Sequence, residues 1–340
     1  MTALEFLESQ RFEGTPRQIA TGRAHTPREI VGNLNSDLHR TFTLSYRRDA
    51  VNRKAVTHPK HSLTILFYRD WVYSECSGRK TIVKFCVLAS GSSGNAALLA
   101  TENTRILVDA GLSMRELHKR LVSIGESLNS IDAILITHEH SDHVSGLAVL
   151  ARNKGVRATI YMTRLTAPAI DWGATPPARL EPFQAGSCFQ IGDIEVQSFG
   201  IPHDAIDPVG YCFEAEGIRI GVATDLGYVP ESIKFHLRRT NVLLLEANHD
   251  LDMLKVGPYP WSVKQRVMSR VGHLSNLHVS DYLMQDLAPC TANLILRHLS
   301  EQNNHPAIVQ LVAAEALERR GLETRLSIAT QMTPSEVFQF

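Results

Sequence analysis

The chain has 340 residues, 44% of them hydrophobic, with 35 Lys and Arg against 35 Asp and Glu. That is long and apolar enough for a full core, while the zero net charge removes any whole-chain argument for a nucleic-acid or membrane surface, so a polyanion would have to meet a local patch. The five cysteines (Cys76, Cys86, Cys188, Cys212 and Cys290) are scattered and form no CxxC, which disfavours a disulfide framework or a thiolate zinc site and fits a reducing cytoplasm. No window reaches the roughly 20 apolar residues of a membrane span, and MTALEFLESQRFEG has no basic-then-apolar leader pattern.

Residues 1–80 carry 13 Lys and Arg against 8 Asp and Glu, with poor periodicity up to about Ser62. Only SLTILFYRDWVY reads as a strand there, so an ill-ordered or weakly structured N-terminal extension is expected over 1–80, followed by one domain over 81–340. From Thr81, short apolar runs alternate with glycine-bearing turns: TIVKFCVLAS, NAALLAT, TRILVDAG and AILITHEH. SMRELHKRLVSIG has helical spacing, VSGLAVLARNKG reads as one helix ended by Gly155, and ATIYMT as a strand. A second strand group follows (CFQIGDIEVQSFGIPH, GYCFEAEGIRIGVATDLG, TNVLLLEANHD), then helices around WSVKQRVMSRVGH, HVSDYLMQDL and PAIVQLVAAEALERRG. Two strand groups each followed by helices imply an α/β (α+β) chain in which two sheets pack face to face with helices outside.

The stretch AILITHEHSDHVSG concentrates the chemistry. His138 and His140 stand two apart at the end of an apolar strand and so point the same way, and one turn later Asp142 and His143 can reach back to the same point. Imidazoles with a carboxylate suit zinc, iron or manganese in a hydrolytic centre, and HxHxDH is far more specific than a lone histidine. Two metal ions are expected. Further ligands should come from other strand ends, where His203 (FGIPHDA), Asp225 (IGVATDLG) and His298 (LILRHLS) each terminate an apolar run.

HEHSDH, with LVDAG before it and His203 and TDLG after it, resembles the metallo-β-lactamase-fold hydrolases. The resemblance spans roughly residues 82–330 and implies an αββα sandwich of two mixed sheets with a dimetal site. It assigns His138, His140 and His203 to one metal, Asp142, His143 and His298 to the other, and Asp225 as the bridge. FCVLASGSSGNA, ILVDAGLS, THEHSDHVSGLAVLAR, GHLSN and HLSEQNN together are similar to the YycJ/WalJ-like group, which implies a DNA-directed phosphodiesterase with exonuclease activity. LLLEAN and GHLS also resemble segments of tRNA 3′-processing hydrolases, which makes Glu246 and His273 a catalytic pair, although the long exosite insertion of those enzymes has no counterpart here.

Divalent ions acidify water and stabilise phosphoryl charge, chemistry equally suited to a strained amide or thioester, so ligation alone leaves the substrate open. Asp142 can orient the attacking water; His273 can protonate a leaving oxygen, with Glu246 setting its tautomer. For substrate contact, Ser92, Ser93 and Asn95 in ASGSSGN offer hydroxyl and amide groups, and Lys264, Arg266, Arg297, Asn303 and Asn304 could meet a nucleic-acid backbone. The leading expectation is a cytoplasmic dimetal exonuclease acting on DNA from 5′ to 3′, with RNA possible. Thioester, lactone or β-lactam hydrolysis is the alternative, although IPHDAIDPVG stands where that branch usually shows a TPGHTxGH-like segment. A non-catalytic metal protein comes third, since an aspartate at position 142 favours hydrolysis.

Overall fold

The computed structural model describes residues 82–173 and 176–340; the strand expected in SLTILFYRDWVY and the extension over 1–80 lie outside the described residues. Fourteen strands follow in chain order: β1 (Lys84–Ala89), β2 (Ala96–Ala100), β3 (Arg105–Val108), β4 (Ala133–Leu135), β5 (Thr159–Thr163), β6 (Leu180–Phe183), β7 (Cys188–Ile191), β8 (Ile194–Gly200), β9 (Val209–Ala215), β10 (Ile218–Ala223), β11 (Val242–Glu246), β12 (Asn293–Arg297), β13 (Arg325–Ile328) and β14 (Phe338–Gln339). The helices are α1 (Met114–Ser123), α2 (Ser141–Val144), α3 (Leu147–Arg152), α4 (Glu231–Leu237), α5 (Leu251–Val256), α6 (Trp261–Val267), α7 (Asn276–Gln285) and α8 (Pro306–Arg320).

The strands form two seven-stranded mixed sheets, ordered β14-β1-β2-β3-β4-β5-β6 and β13-β12-β11-β10-β9-β8-β7. Each is half antiparallel and half parallel, with β3-β4-β5-β6 parallel in the first and β10-β11-β12-β13 parallel in the second. AALLA and VLLLE are buried at every position, as strands covered on both faces must be. Phe85, Leu99, Leu135, Tyr211, Phe213 and Leu244 fill the space between the sheets. The outer face of the first sheet packs on α1 and α3 through Leu98, Ile134, Leu117 and Leu150, and that of the second on α4, α7 and α8 through Leu245, Ile233, Leu283 and Val309. The result is the expected αββα sandwich.

Three local expectations need correction. VSGLAVLARNKG is not one helix: α2 ends at its first residue, Val144, and α3 begins at Leu147, with Gly146 between them giving its N–H to the Ala110 carbonyl at 2.9 Å where a side chain would sit 2.0 Å from the Leu112 carbonyl oxygen. The second piece stops at Arg152, before Gly155. The helix in WSVKQRVMSRVGH ends at Val267, and turns carry the chain on to His273.

Candidate active site

The parallel halves of both sheets bring their carboxyl ends to one edge of the sandwich, the place where open α/β sheets leave a crevice. In the first sheet the register Val108↔Leu135 sets Asp109, just after β3, beside the turn that follows β4. In the second, Ala223↔Leu245 and Glu246↔Arg297 put Asp225, Glu246 and His298 at three adjacent strand ends. Asp109, Asp225 and His298 all have positive φ (62°, 58° and 61°), a costly backbone state for side-chain-bearing residues that recurs where function constrains geometry.

Asp109 is fully buried and accepts hydrogen bonds from the Thr137 N–H (2.8 Å) and hydroxyl (2.9 Å) and from His143 Nδ1 (2.8 Å). This fixes the ring so that Nε2 faces Asp225 Oδ2 at 3.3 Å and Asp142 Oδ2 at 3.5 Å. Asn95 holds the turn from below: its N–H donates to the Asp142 carbonyl at 2.7 Å and its amide to Asp142 Oδ2 at 2.9 Å. The HxHxDH turn approaches so closely that a side chain at Gly111 would lie 1.7 Å from the Asp142 carbonyl oxygen.

His138 Nε2 and His203 Nε2 lie 3.1 and 3.2 Å from His140 Nδ1, while His203 Nδ1 donates to the Gly272 carbonyl at 3.2 Å. Glu246, also fully buried, accepts at Oε1 from His273 Nδ1 (2.7 Å) and His298 Nδ1 (2.8 Å), and at Oε2 from the Leu226 and Leu274 N–H groups. The ligand-bearing atoms fall into groups within 4.8 Å of one another: His138, His140 and His203; Asp142, His143 and His298; and Asp225 with His138 and His143, or with Glu246, His273 and His298.

The two sides differ electrostatically. Burial pushes His138 and His203 below the ordinary imidazole range. Burial opposes protonation of His143 and His298 too, but Asp109 and Asp225 hold His143 well above that range, and Asp225, Asp142 and Glu246 push His298 up to about 10. Glu246 is brought down to about 2, its desolvation outweighed by His273 and His298. These groups fit divalent cations on three grounds. The His138 and His203 Nε2 atoms, 3.1 and 3.2 Å from His140 Nδ1, are close to the separation of about 3.3 Å that tetrahedral zinc imposes with bonds near 2.0–2.1 Å. His298 Nε2 is buried without a hydrogen-bond partner. The carboxylate excess that drives protons onto His143 and His298 is also what a cation would neutralise.

A cleft of about 220 Å³ opens onto these groups, lined by His140, Asp142, Asp225, His273 and His298 and by Ser92, Arg266 and Asn303. The other expected substrate contacts are placed elsewhere. Ser93 is exposed outside the cleft lining, its N–H on Gln331 Oε1. Asn95 is buried, its oxygen taken by the Gly91 N–H and by Arg297. Lys264 is buried with Nζ on the Lys255 carbonyl at 2.7 Å, Asn304 bonds Asn276 and the Ala247 carbonyl, and Arg297 is 1% exposed. These four support the site rather than present donors to solvent. Sequence reasoning passed over Asp109, although LVDAG carries the same signal as VATDLG, an apolar strand closed by an acid before Ala-Gly or Leu-Gly. It also gave no part to Asp204, Tyr259 and Ser300, which line the cleft without any such mark.

Residues 104–285 match the model of the beta-lactamase superfamily domain. The chain is 37% identical over 239 residues to the exodeoxyribonuclease YycJ of Bacillus anthracis, covering 70% of this chain and 90% of that protein. It is equally 37% identical, over 243 residues and with the same two coverages, to the exodeoxyribonuclease WalJ of Streptococcus pneumoniae D39. The crystal structure of the metallo-beta-lactamase fold protein YhfI from Bacillus subtilis superposes with a TM-score of 0.60 at 17% identity, covering 77% of this chain and all of that one, a likeness of fold. With the HxHxDH turn and the strand-end His and Asp residues gathered at one edge of an αββα sandwich, the chain belongs to the beta-lactamase superfamily, in its YycJ/WalJ-like group.

Proposed function

We propose that this protein is a dimetal phosphodiesterase that hydrolyses nucleic-acid phosphodiester bonds, and more specifically a cytoplasmic DNA exonuclease working from the 5′ end, with the activity in residues 81–340. The observation that carries the reading is the hydrogen bond of 2.7 Å between Glu246 and His273 at the wall of the ligand cleft, beside the two histidine and carboxylate groups. The names of the YycJ and WalJ proteins, matched over 90% of their length, support DNA as substrate.

Two divalent ions (zinc, manganese or iron), one at His138, His140 and His203, one at Asp142, His143 and His298, with Asp225 shared, would supply Lewis-acid charge stabilisation and acidify the attacking water. The protein's own groups do the rest. Asp142, held through Asn95, orients the attacking water and accepts from it. Glu246 accepts the His273 Nδ1–H hydrogen bond and so favours the imidazolium, whose Nε2–H gives its proton to the departing sugar oxygen and leaves the neutral Nδ1–H ring. An alkoxide needs that proton, whereas a thiolate leaving group does not, which is why the pair favours a phosphodiester over a thioester. Ser92 and Asn303, lining the same cleft, contact the substrate.

The test is turnover of end-labelled single- and double-stranded DNA and RNA, beside a thioester and a β-lactam, by metal-stripped protein resupplied with Mn²⁺ or Zn²⁺, with His138→Ala as control. Metal-dependent nucleotide release from the 5′ end of DNA, lost in the control, is expected. Thioester or lactam turnover without phosphodiester cleavage would overturn the reading.

A further inference from the structure

One cleft residue is oddly constrained for its exposure. The Arg266 side chain is 65% exposed, yet its Nε donates to Asp204 Oδ2. Asp204 follows the ligand His203 in the chain, is itself 25% exposed at the side chain, and is pinned by its N–H on the Val271 carbonyl at 2.9 Å. An exposed ion pair contributes little to stability, on the order of 0–1 kcal/mol, because ordering a long side chain offsets the weak attraction. What the pair does accomplish is orientation. With Nε engaged, the planar guanidinium has a set direction, and its two terminal nitrogens have no hydrogen-bond partner among the described residues. A fork of that kind matches phosphate oxygens in bidentate fashion.

Its setting decides what it is for. Among the described residues lining the cleft, Arg266 is the sole Lys or Arg, facing Asp142, Asp204 and Asp225. The metal-ligating groups account for the scissile phosphate, and Arg266, on α6, belongs to none of them, reaching their edge through Asp204, whose carboxylate lies 3.6 Å from the His203 ring. A second phosphate of the same strand entering this acidic cleft would meet repulsion unless a cation received it. We propose that Arg266, positioned by Asp204, forms a subsite for the phosphodiester neighbouring the scissile one, so that the enzyme selects polynucleotides over isolated diesters. This rests on the nuclease reading above and names what that site selects.

The experiment compares steady-state kinetics on d(TpT), which has one phosphate, with a longer oligothymidylate, using the metal-loaded full chain. Wild type is expected to favour the oligomer in kcat/KM. Arg266→Ala should raise KM for the oligomer about 10- to 100-fold with little change in kcat, cost d(TpT) no more than about twofold, and lower the slope of log kcat/KM against log salt by about one. Arg266→Lys, which keeps charge but loses the fork, should fall between. Asp204→Asn should raise oligomer KM in the same direction by a smaller factor, about 3- to 10-fold, without lowering kcat, a split that mere structural damage would not produce. Equal losses on both substrates, or no loss on either, would overturn the subsite while leaving the nuclease reading intact. Failure of wild type on both d(TpT) and the oligomer would overturn that reading, and the subsite with it.

Discussion

The two sheets hold their shares of the site by different means. On the first, the HxHxDH turn carries most of the contribution, beside Ser92 from the β1–β2 loop, and it is fixed mainly by backbone contact: Gly111 and Asn95 clasp the Asp142 main chain, while the Asp109 carboxylate locks Thr137 and His143. On the second, single residues come from four strand ends: His203 after β8 rests on the Gly272 carbonyl, while those at the ends of β10, β11 and β12 are held by charge, with one carboxylate oxygen of Glu246 serving both His273 and His298. The first arrangement is sensitive to volume, the second to charge, and substitutions can separate them.

The largest effect is expected from Asp142→Ala, which removes the proposed ligand and water-orienting group: a loss of at least about 10³-fold in kcat with the fold retained by circular dichroism. Full turnover in this variant would remove Asp142 from the mechanism. Next comes Gly111→Ala. A methyl 1.7 Å from a main-chain oxygen cannot be absorbed by a rotamer change, so the turn must move, and destabilisation of about 3 kcal/mol or more is expected, read as a fall in Tm of roughly 10 °C. If Tm stays unchanged, backbone contact does not hold the first share. Glu246→Gln keeps the volume but cannot offer one anionic oxygen to two imidazoles. A fall of about 10- to 100-fold in kcat is expected with little change in Tm, whereas the same substitution at Asp109, Asp109→Asn, should appear mainly as metal affinity weakened about 10- to 100-fold in competition with a chelator. Reversal of those two phenotypes would mean that the shares are not divided as described.

The same contrast explains what could be read from the chain. HxHxDH was legible because strand and turn geometry alone fix the mutual directions of side chains within six consecutive residues. His203, Asp225 and His298 were legible only as polar ends of apolar runs; the meeting of Asp225 and His298 depends on the parallel register of β10, β11 and β12, and that of His203 on the antiparallel pairing of β8 through β9 to β10, none of which a local pattern states. Arg297, Lys264, Asn95 and Asn304 misled because charged and amide side chains are ordinarily solvated, and each here is buried against specific oxygens supplied by distant segments. The break at Gly146 was invisible for a similar reason: a helix-compatible run carries no sign that the Gly146 N–H is taken by the distant Ala110 carbonyl instead of one within the helix. β6 escaped notice because Pro182 sits within it, which only its place at the sheet edge allows.

The smallest effect tests whether charge on the second-sheet side is controlled beyond the ligands. His249 is 1% exposed, its Nδ1 has no partner, and burial above all brings it down to about 4. Its folded pKa lies below the unfolded value of about 6.5, so the neutral ring is the native form; the associated stability is complete above that value and is lost as pH falls from about 6.5 toward 4. Between pH 7 and pH 5 the loss is about 2 kcal/mol. Urea unfolding of chelator-treated wild type and His249→Gln at the two pH values isolates it from metal release, which is common to both. The variant should lose about 2 kcal/mol less than wild type on acidification, and equal losses would show that His249 is accommodated in its charged form, so that the acidic residues around Glu246 reach further into the core than the ligand cage requires.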